Sequence, residues 1–211
     1  MRSIAIFGGT FDPVHNGHIQ TSITIQSQFH FDQFYFLPCK IPIIKPAAQA
    51  NSDHRIAMLQ LAAPLVPNAQ IDLREITRDT PSYMVETLQS FRQEYPNAAL
   101  TLIIGYDALL SLPEWYQWEK ILGLANLLVI NRQQFAAEPV PEVIHTLLTQ
   151  HLKDSQQDLL QSLAGKIVLF DAGNYPISST EIRQLLSEGK KVDHKLPKAV
   201  MNYIREWGLF Q

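Results

Sequence analysis

An α/β fold, an open parallel β-sheet with helices on both faces, is what this sequence predicts, and three observations predict it. Short apolar runs alternate with helical stretches along the chain. Two of those runs, ALTLIIG (99–105) and NLLVIN (126–131), are almost continuously apolar, as strands covered on both faces are. The helical stretches between them suit βαβ crossovers, which link parallel neighbours.

In chain order, residues 4–7 form a short strand ending in Gly8-Gly9. A helix opens near Asn16, a good N-cap type, and runs to about Phe29. QFYFLP (33–38) is an aromatic-rich strand, and the stretch 37–52 carries three prolines and reads as an extended loop. SDHRIAMLQLAA is a capped helix stopped by Pro64; QIDL is a weak strand. PSYMVETLQSFRQEY places Val85, Leu88 and Phe91 at helical spacing. After the strand 99–105, PEWYQWEKIL reads as a short helix leading to the strand 126–131. Residues 133–165 are polar and helical, and KIVLF is the last strand. SSTEIRQLLSEGKK is a capped helix. The final helix starts at Pro197, has Leu196, Val200, Ile204 and Trp207 near one face, and ends at Gly208. With no repeat or linker, 1–211 is expected to be a single domain, with a small helical C-terminal part from about 178.

Composition narrows the partners. With 211 residues and 46% apolar content the chain can fill a core. A formal charge of −3 and the lack of a basic block argue against nucleic acid and membrane surfaces. No apolar run approaches the ~20 residues of a bilayer span, and the opening residues read as a strand rather than a secretory leader. A single cysteine, Cys39, excludes an internal disulfide and suggests a reducing, cytoplasmic setting. The oligomeric state is open, a homo-oligomer included.

Ligands of such sheets bind beyond the carboxyl ends of the strands. After the first strand comes GGTFDPVHNGH (8–18). Gly8 and Gly9 let the main chain approach a ligand, and the following helix offers free N–H groups and a positive dipole end. His15 and His18, three apart, can both point at the same anion, donating hydrogen bonds and carrying partial positive charge. The metal alternative, an i, i+3 histidine pair, lacks an obvious third ligand. The usual phosphate motifs, G-x-x-x-x-G-K-[ST] and G-x-G-x-x-G, are absent. Far away, ISSTEIR (177–183) opens a second helix with Ser178, Ser179 and Thr180, and places Arg183 one turn in. Ser178 with Glu181 also has the form of an ordinary capping box.

These two segments resemble the paired signatures of the nucleotidyltransferase superfamily, H-x-G-H (His15-Asn16-Gly17-His18, with its Gly-Gly-Thr-Phe-Asp-Pro lead-in) and I-S-S-T-x-I-R. PSYMVETL, IIGYDALLSLPEWYQWEKIL and ANLLVINR further resemble, in order and spacing, the bacterial nicotinate-nucleotide adenylyltransferases, over most of the chain from residue 4 to about 210 and least across 133–165. The resemblance implies a Rossmann-like fold and an ATP-binding transferase of NAD biosynthesis. Such an enzyme moves the adenylyl group of ATP to nicotinic acid mononucleotide, giving nicotinic acid adenine dinucleotide (deamido-NAD) and pyrophosphate. It implies catalytic roles for His15 and His18. It implies ATP contacts from Gly8, Gly9, Thr10, Phe11, Gly105, Asp107, Ile177, Ser178, Ser179, Thr180 and Arg183, with Asp107 accepting ribose hydroxyls. The acceptor falls to Lys45, Ser82, Tyr83, Met84, Trp115, Tyr116 and Arg132. There the resemblance implies that the backbone amides of Met84 and Tyr116 meet the ring carboxylate; from the residues themselves, Trp115 with Tyr116 can supply an aromatic wall, core packing being the alternative for Trp115, and Arg132 at the end of a strand can meet the mononucleotide phosphate or be a solvated arginine. Trp118 reads as core. Mg²⁺ is implied on the triphosphate, held mainly by phosphate oxygens and water, with no metal site of the protein's own.

Two departures stand out. Where relatives have P-P-H-K or P-P-H-R the chain reads Pro42-Ile43-Ile44-Lys45, so the histidine position is Ile44; and Met84 stands where a threonine is common. The alternatives are the same chemistry on nicotinamide mononucleotide or phosphopantetheine, or a nucleotide-sensing module without chemistry.

Overall fold

The computed structural model describes residues 1–41, 47–130 and 139–211. Six strands form one all-parallel sheet in the order β3-β2-β1-β4-β5-β6. Along the chain these are β1 (Ser3–Gly9), α1 (Asn16–Phe29), β2 (Gln33–Pro38), α2 (Ser52–Ala62), β3 (Ala69–Ile71), α3 (Arg74–Thr77), α4 (Met84–Glu94) and β4 (Ala99–Gly105). The second half adds α5 (Tyr106–Leu110), α6 (Ile121–Leu124), β5 (Asn126–Ile130), α7 (Glu142–His151), α8 (Gln156–Gln161), β6 (Ile167–Phe170), α9 (Ser179–Ser187) and α10 (Lys198–Glu206). The expected open parallel sheet, Rossmann-like in its strand order, is therefore the observed one.

Period-two alternation explains why the strands are apolar throughout. Ile4 and Ile6 of β1 join Leu100, Leu102, Leu127 and Val129 in a core under α4, α5, α6 and α7. Ala5 joins Phe34, Phe36, Ile103 and Leu128 in the opposite core, under α1, α2, α9 and α10. Ile182, Val200 and Ile204 seat the two C-terminal helices in that second core. Among the described residues no helix is long and apolar enough to cross a membrane.

The stretch between β4 and β5 differs from expectation. PEWYQWEKIL is not one helix: a 3-10 turn spans Leu112–Glu114, another Trp118–Lys120, and α6 follows. Trp115 between them is extended (φ −77°, ψ 141°) and Gln117 is left-handed (φ 51°). Helical spacing on a short segment was overridden by backbone that turns Trp115 and Tyr116 toward a cavity.

Strand order reverses between β1 and β4, which pair from Ser3↔Ala99 to Phe7↔Ile103. The crevice beyond their carboxyl ends is where such sheets bind ligands.

Candidate active site

The turn from β1 to α1 builds one wall of that crevice. The N-cap of α1 is His15, not Asn16. His18 main-chain N–H donates to His15 Nδ1 at 3.3 Å, and His15 main-chain N–H donates to His18 Nδ1 at 3.3 Å. This is a capping box made of two imidazoles, each covering an otherwise orphaned helix-end amide. The rings stack with centroids 3.7 Å apart. A nitrogen that accepts a hydrogen bond has no proton, so each neutral ring carries its proton on Nε2. Burial, reinforced by the Lys195 ammonium, lowers His15 to about 4. At neutral pH His15 is therefore an uncharged donor, which corrects the partial positive charge expected for it from the sequence.

Gly17 is required by this arrangement. A Cβ there would lie 2.9 Å from Nδ1 and 3.0 Å from Cε1 of His15. Asn16 anchors the same turn to the C-terminal segment: its N–H donates to Lys195 O at 2.9 Å and its Nδ2 to His194 O at 3.0 Å.

The second motif forms the facing wall. Ser178 caps α9, its Oγ accepting from Glu181 N at 3.1 Å. Ser179 Oγ donates to Pro13 O at 3.0 Å. Arg183 Nη1 donates to Asp12 O at 2.7 Å, Nη2 to Thr180 Oγ1 at 3.3 Å, and the Asp12 carboxylate lies 3.7 Å from Nη1. The two motifs are thus bonded to each other across 166 to 171 residues of chain. Asp12, buried and missed in the sequence reading, also holds the loop after β2: its carboxylate accepts from Gln49 N at 2.7 Å and Ala50 N at 3.1 Å. Arg55, 1% exposed, ties Thr10 O (2.7 Å) to Ser52 Oγ (3.1 Å) behind the same loop.

Between the walls lies a cavity of about 630 Å³. It brings together Gly8, Gly9, Thr10, Phe11, His15, His18, Gly105, Asp107, Ile177, Ser178, Ser179, Thr180 and Arg183 with Ser82, Tyr83, Met84, Trp115 and Tyr116. Lys45 and Arg132, like Ile44, lie outside the described residues. The Phe11 side chain is buried against Phe7, Phe36 and His18. Gly105 caps α5, and an added Cβ there would collide with the Asp107 carboxylate. At the other end Tyr83 and Tyr116 face each other with ring centroids 4.5 Å apart, and α4 starts at Met84 with no side chain capping it. Trp118 packs with the core and does not line this cavity.

The lining also includes Cys39 and Glu75, which no sequence pattern marked. Glu75 sits on a four-residue helix, too short to show a period. Burial pushes both the Cys39 thiol and the Glu75 carboxyl upward from their ordinary values.

Residues 6–185 match the family model described as cytidylyltransferase-like. A Legionella pneumophila (strain Corby) protein named "Probable nicotinate-nucleotide adenylyltransferase" is 60% identical over 211 residues, covering all of both chains. A protein of the same name from Shigella boydii serotype 4 is 39% identical over the full length of both. Among solved structures, the Plasmodium falciparum nicotinic acid mononucleotide adenylyltransferase complexed with NaAD superposes with a TM-score of 0.74, at 20% identity, over 100% of this chain and 98% of its own.

Proposed function

The chain belongs to the nicotinate-nucleotide adenylyltransferases of the cytidylyltransferase-like family, and we propose that it works through the paired motifs that line its cavity. It transfers the adenylyl group of ATP to nicotinic acid mononucleotide, yielding nicotinic acid adenine dinucleotide and pyrophosphate for NAD biosynthesis.

The observation that carries the residue assignments is the direct bonding of the second motif to the first around a single cavity. The mononucleotide phosphate attacks the α-phosphorus of ATP in line. It is already an anion, so no general base is required, and the reaction rests on positioning and charge stabilisation. His15 and His18 offer Nε2–H donors to the α-phosphate and bridging oxygens. Arg183 and the amides at Ser179–Thr180 hold the β,γ-phosphates at the N-terminus of α9. Gly8, Gly9, Thr10 and Phe11 present backbone to the nucleotide. Asp107, exposed just beyond β4, accepts ribose hydroxyls. Ser82 and Tyr83 shape the acceptor end, Met84 and Tyr116 amides take the ring carboxylate, Trp115 stacks on the pyridine, and Lys45 and Arg132 meet the acceptor phosphate.

The cavity donors near α9 are imidazoles, hydroxyls and a guanidinium, which suit phosphate oxygens rather than a bare cation. Mg²⁺ therefore fits as a passenger of the triphosphate, ligated mainly by its oxygens and water, where it supplies charge neutralisation. A cytoplasmic setting, where ATP and pyridine nucleotides are made and used, completes the reading.

Pyrophosphate release with MgATP and, separately, nicotinic acid mononucleotide, nicotinamide mononucleotide and phosphopantetheine tests it. The first acceptor should be preferred. Preference for either other one overturns the acceptor assignment, and no pyrophosphate with any acceptor indicates a nucleotide-sensing module.

A further inference from the structure

The mechanism leaves unused a buried carboxyl at the acceptor end of the cavity. Glu75 is 2% exposed and lines the cavity beside Ser82 and Met84. Thr87 Oγ1 donates to its Oε1 at 2.7 Å in a buried bond. Ser82 lines the same cavity beside it and favours its ionised form. Ser82 Oγ accepts from Lys40 N at 3.1 Å, at the exit of β2. Glu75 is thus bonded to the first turn of α4, three residues after Met84, and neighbours Ser82, two residues before it. That start has no side-chain cap of its own, so nothing local to α4 fixes where its first amides point. The Arg78 guanidinium reinforces the same turn, donating from Nη2 to Pro81 O and Thr87 Oγ1, both at 3.3 Å.

We propose that Glu75 is the positioning residue of the acceptor half of the site: it braces the Ser82–Met84 turn so that the amide at Met84 is held ready for the acceptor's carboxylate. The inference rests on the reading of that end as the nicotinate pocket. A buried acid is a costly way to build a turn, because an unpaired carboxyl penalises folding. The Thr87 hydroxyl donor offsets that penalty and fixes the geometry at the same time. The ATP half has its own supports, Asp12 and Arg55, so loss of Glu75 acts on one substrate and not the other.

Two variants and one isostere test this. Glu75→Ala removes the brace. Glu75→Gln keeps it, because its carbonyl still accepts from Thr87. Thr87→Val, outside the cavity lining, cuts the bond from Glu75 to α4 without adding a charge and covers the case in which Glu75→Ala does not fold. KM for each substrate, kcat, and calorimetric affinity for nicotinic acid mononucleotide without ATP are the readouts. Glu75→Ala should weaken the acceptor about tenfold or more, with the KM for ATP held within about twofold; Thr87→Val should show the same split more weakly. Glu75→Gln should stay within about threefold of wild type. An unchanged acceptor affinity in Glu75→Ala, equal losses for both substrates, or a Gln variant as impaired as the Ala variant would overturn the proposal. Should the wild type prefer another acceptor, the reading of the pocket fails, and the same split measured on that acceptor still judges the brace.

Discussion

His15 and His18 cap each other: each imidazole Nδ1 accepts the other residue's main-chain N–H at 3.3 Å, and the rings stack at 3.7 Å. The start of α1 and the pair of donors proposed to meet phosphate are therefore the same object. Anything that disturbs one disturbs the other.

Replacing His18 by alanine removes the donor proposed to act on the transferring phosphate, together with half of the capping box. The rate constant kcat should fall about 10²–10³-fold, the scale for one transition-state donor. Loss of a cap costs about 1 kcal/mol, so the purified variant should melt a few degrees lower and remain folded by circular dichroism. Near-normal turnover would remove His18 from the mechanism.

Gly17→Ala separates helix propensity from ring placement. Alanine stabilises a helix by about 1 kcal/mol over glycine, but its Cβ would meet the His15 ring at 2.9 and 3.0 Å. The expected outcome is a melting temperature close to wild type and a kcat lowered about 10²-fold, as a small misplacement near the chemistry produces. Full activity would show that the ring moves freely, contrary to the cap.

His15 links stability to pH. Its folded value of about 4 lies below the ordinary 6.5. The unfolded chain takes up a proton in that window while the folded protein refuses it. The contribution is fully present above pH 6.5, declines as pH falls toward 4 and levels off below. Asn at position 15 can still cap α1 but does not titrate. Melting curves between pH 7 and 4 should therefore show a shallower decline in His15→Asn than in wild type; parallel curves would mean that His15 titrates normally.

Much of this was legible from sequence, and the exceptions have physical reasons. Parallel strands buried on both faces leave continuous apolar runs, so β4 and β5 were plain. The segments 8–18 and 177–183 were visible because each opens a helix. What the sequence hid was tertiary. Histidine is an unusual N-cap, so Asn16 looked the better choice. The break at Gln117, in a left-handed conformation without glycine, interrupted a helical pattern and freed Trp115. Glu75 lay on a helix too short for periodicity, and Asp12 mattered through partners at Gln49, Ala50 and Arg183.

Arg183→Lys keeps the positive charge and loses the fork that reaches Asp12 O and Thr180 Oγ1 together. The KM for ATP should rise about tenfold or more, the scale of a lost charge-assisted hydrogen bond, with the acceptor KM changing far less. Equal effects on both substrates would place Arg183 in general support of the fold.

The most direct test of the paired-histidine site is ¹⁵N NMR of the two imidazoles at neutral pH, with ring nitrogens assigned. Both rings should be neutral with the proton on Nε2 and an accepting, unprotonated Nδ1, as the reciprocal cap requires. A proton on Nδ1 of either residue, or an imidazolium at His15, would contradict it.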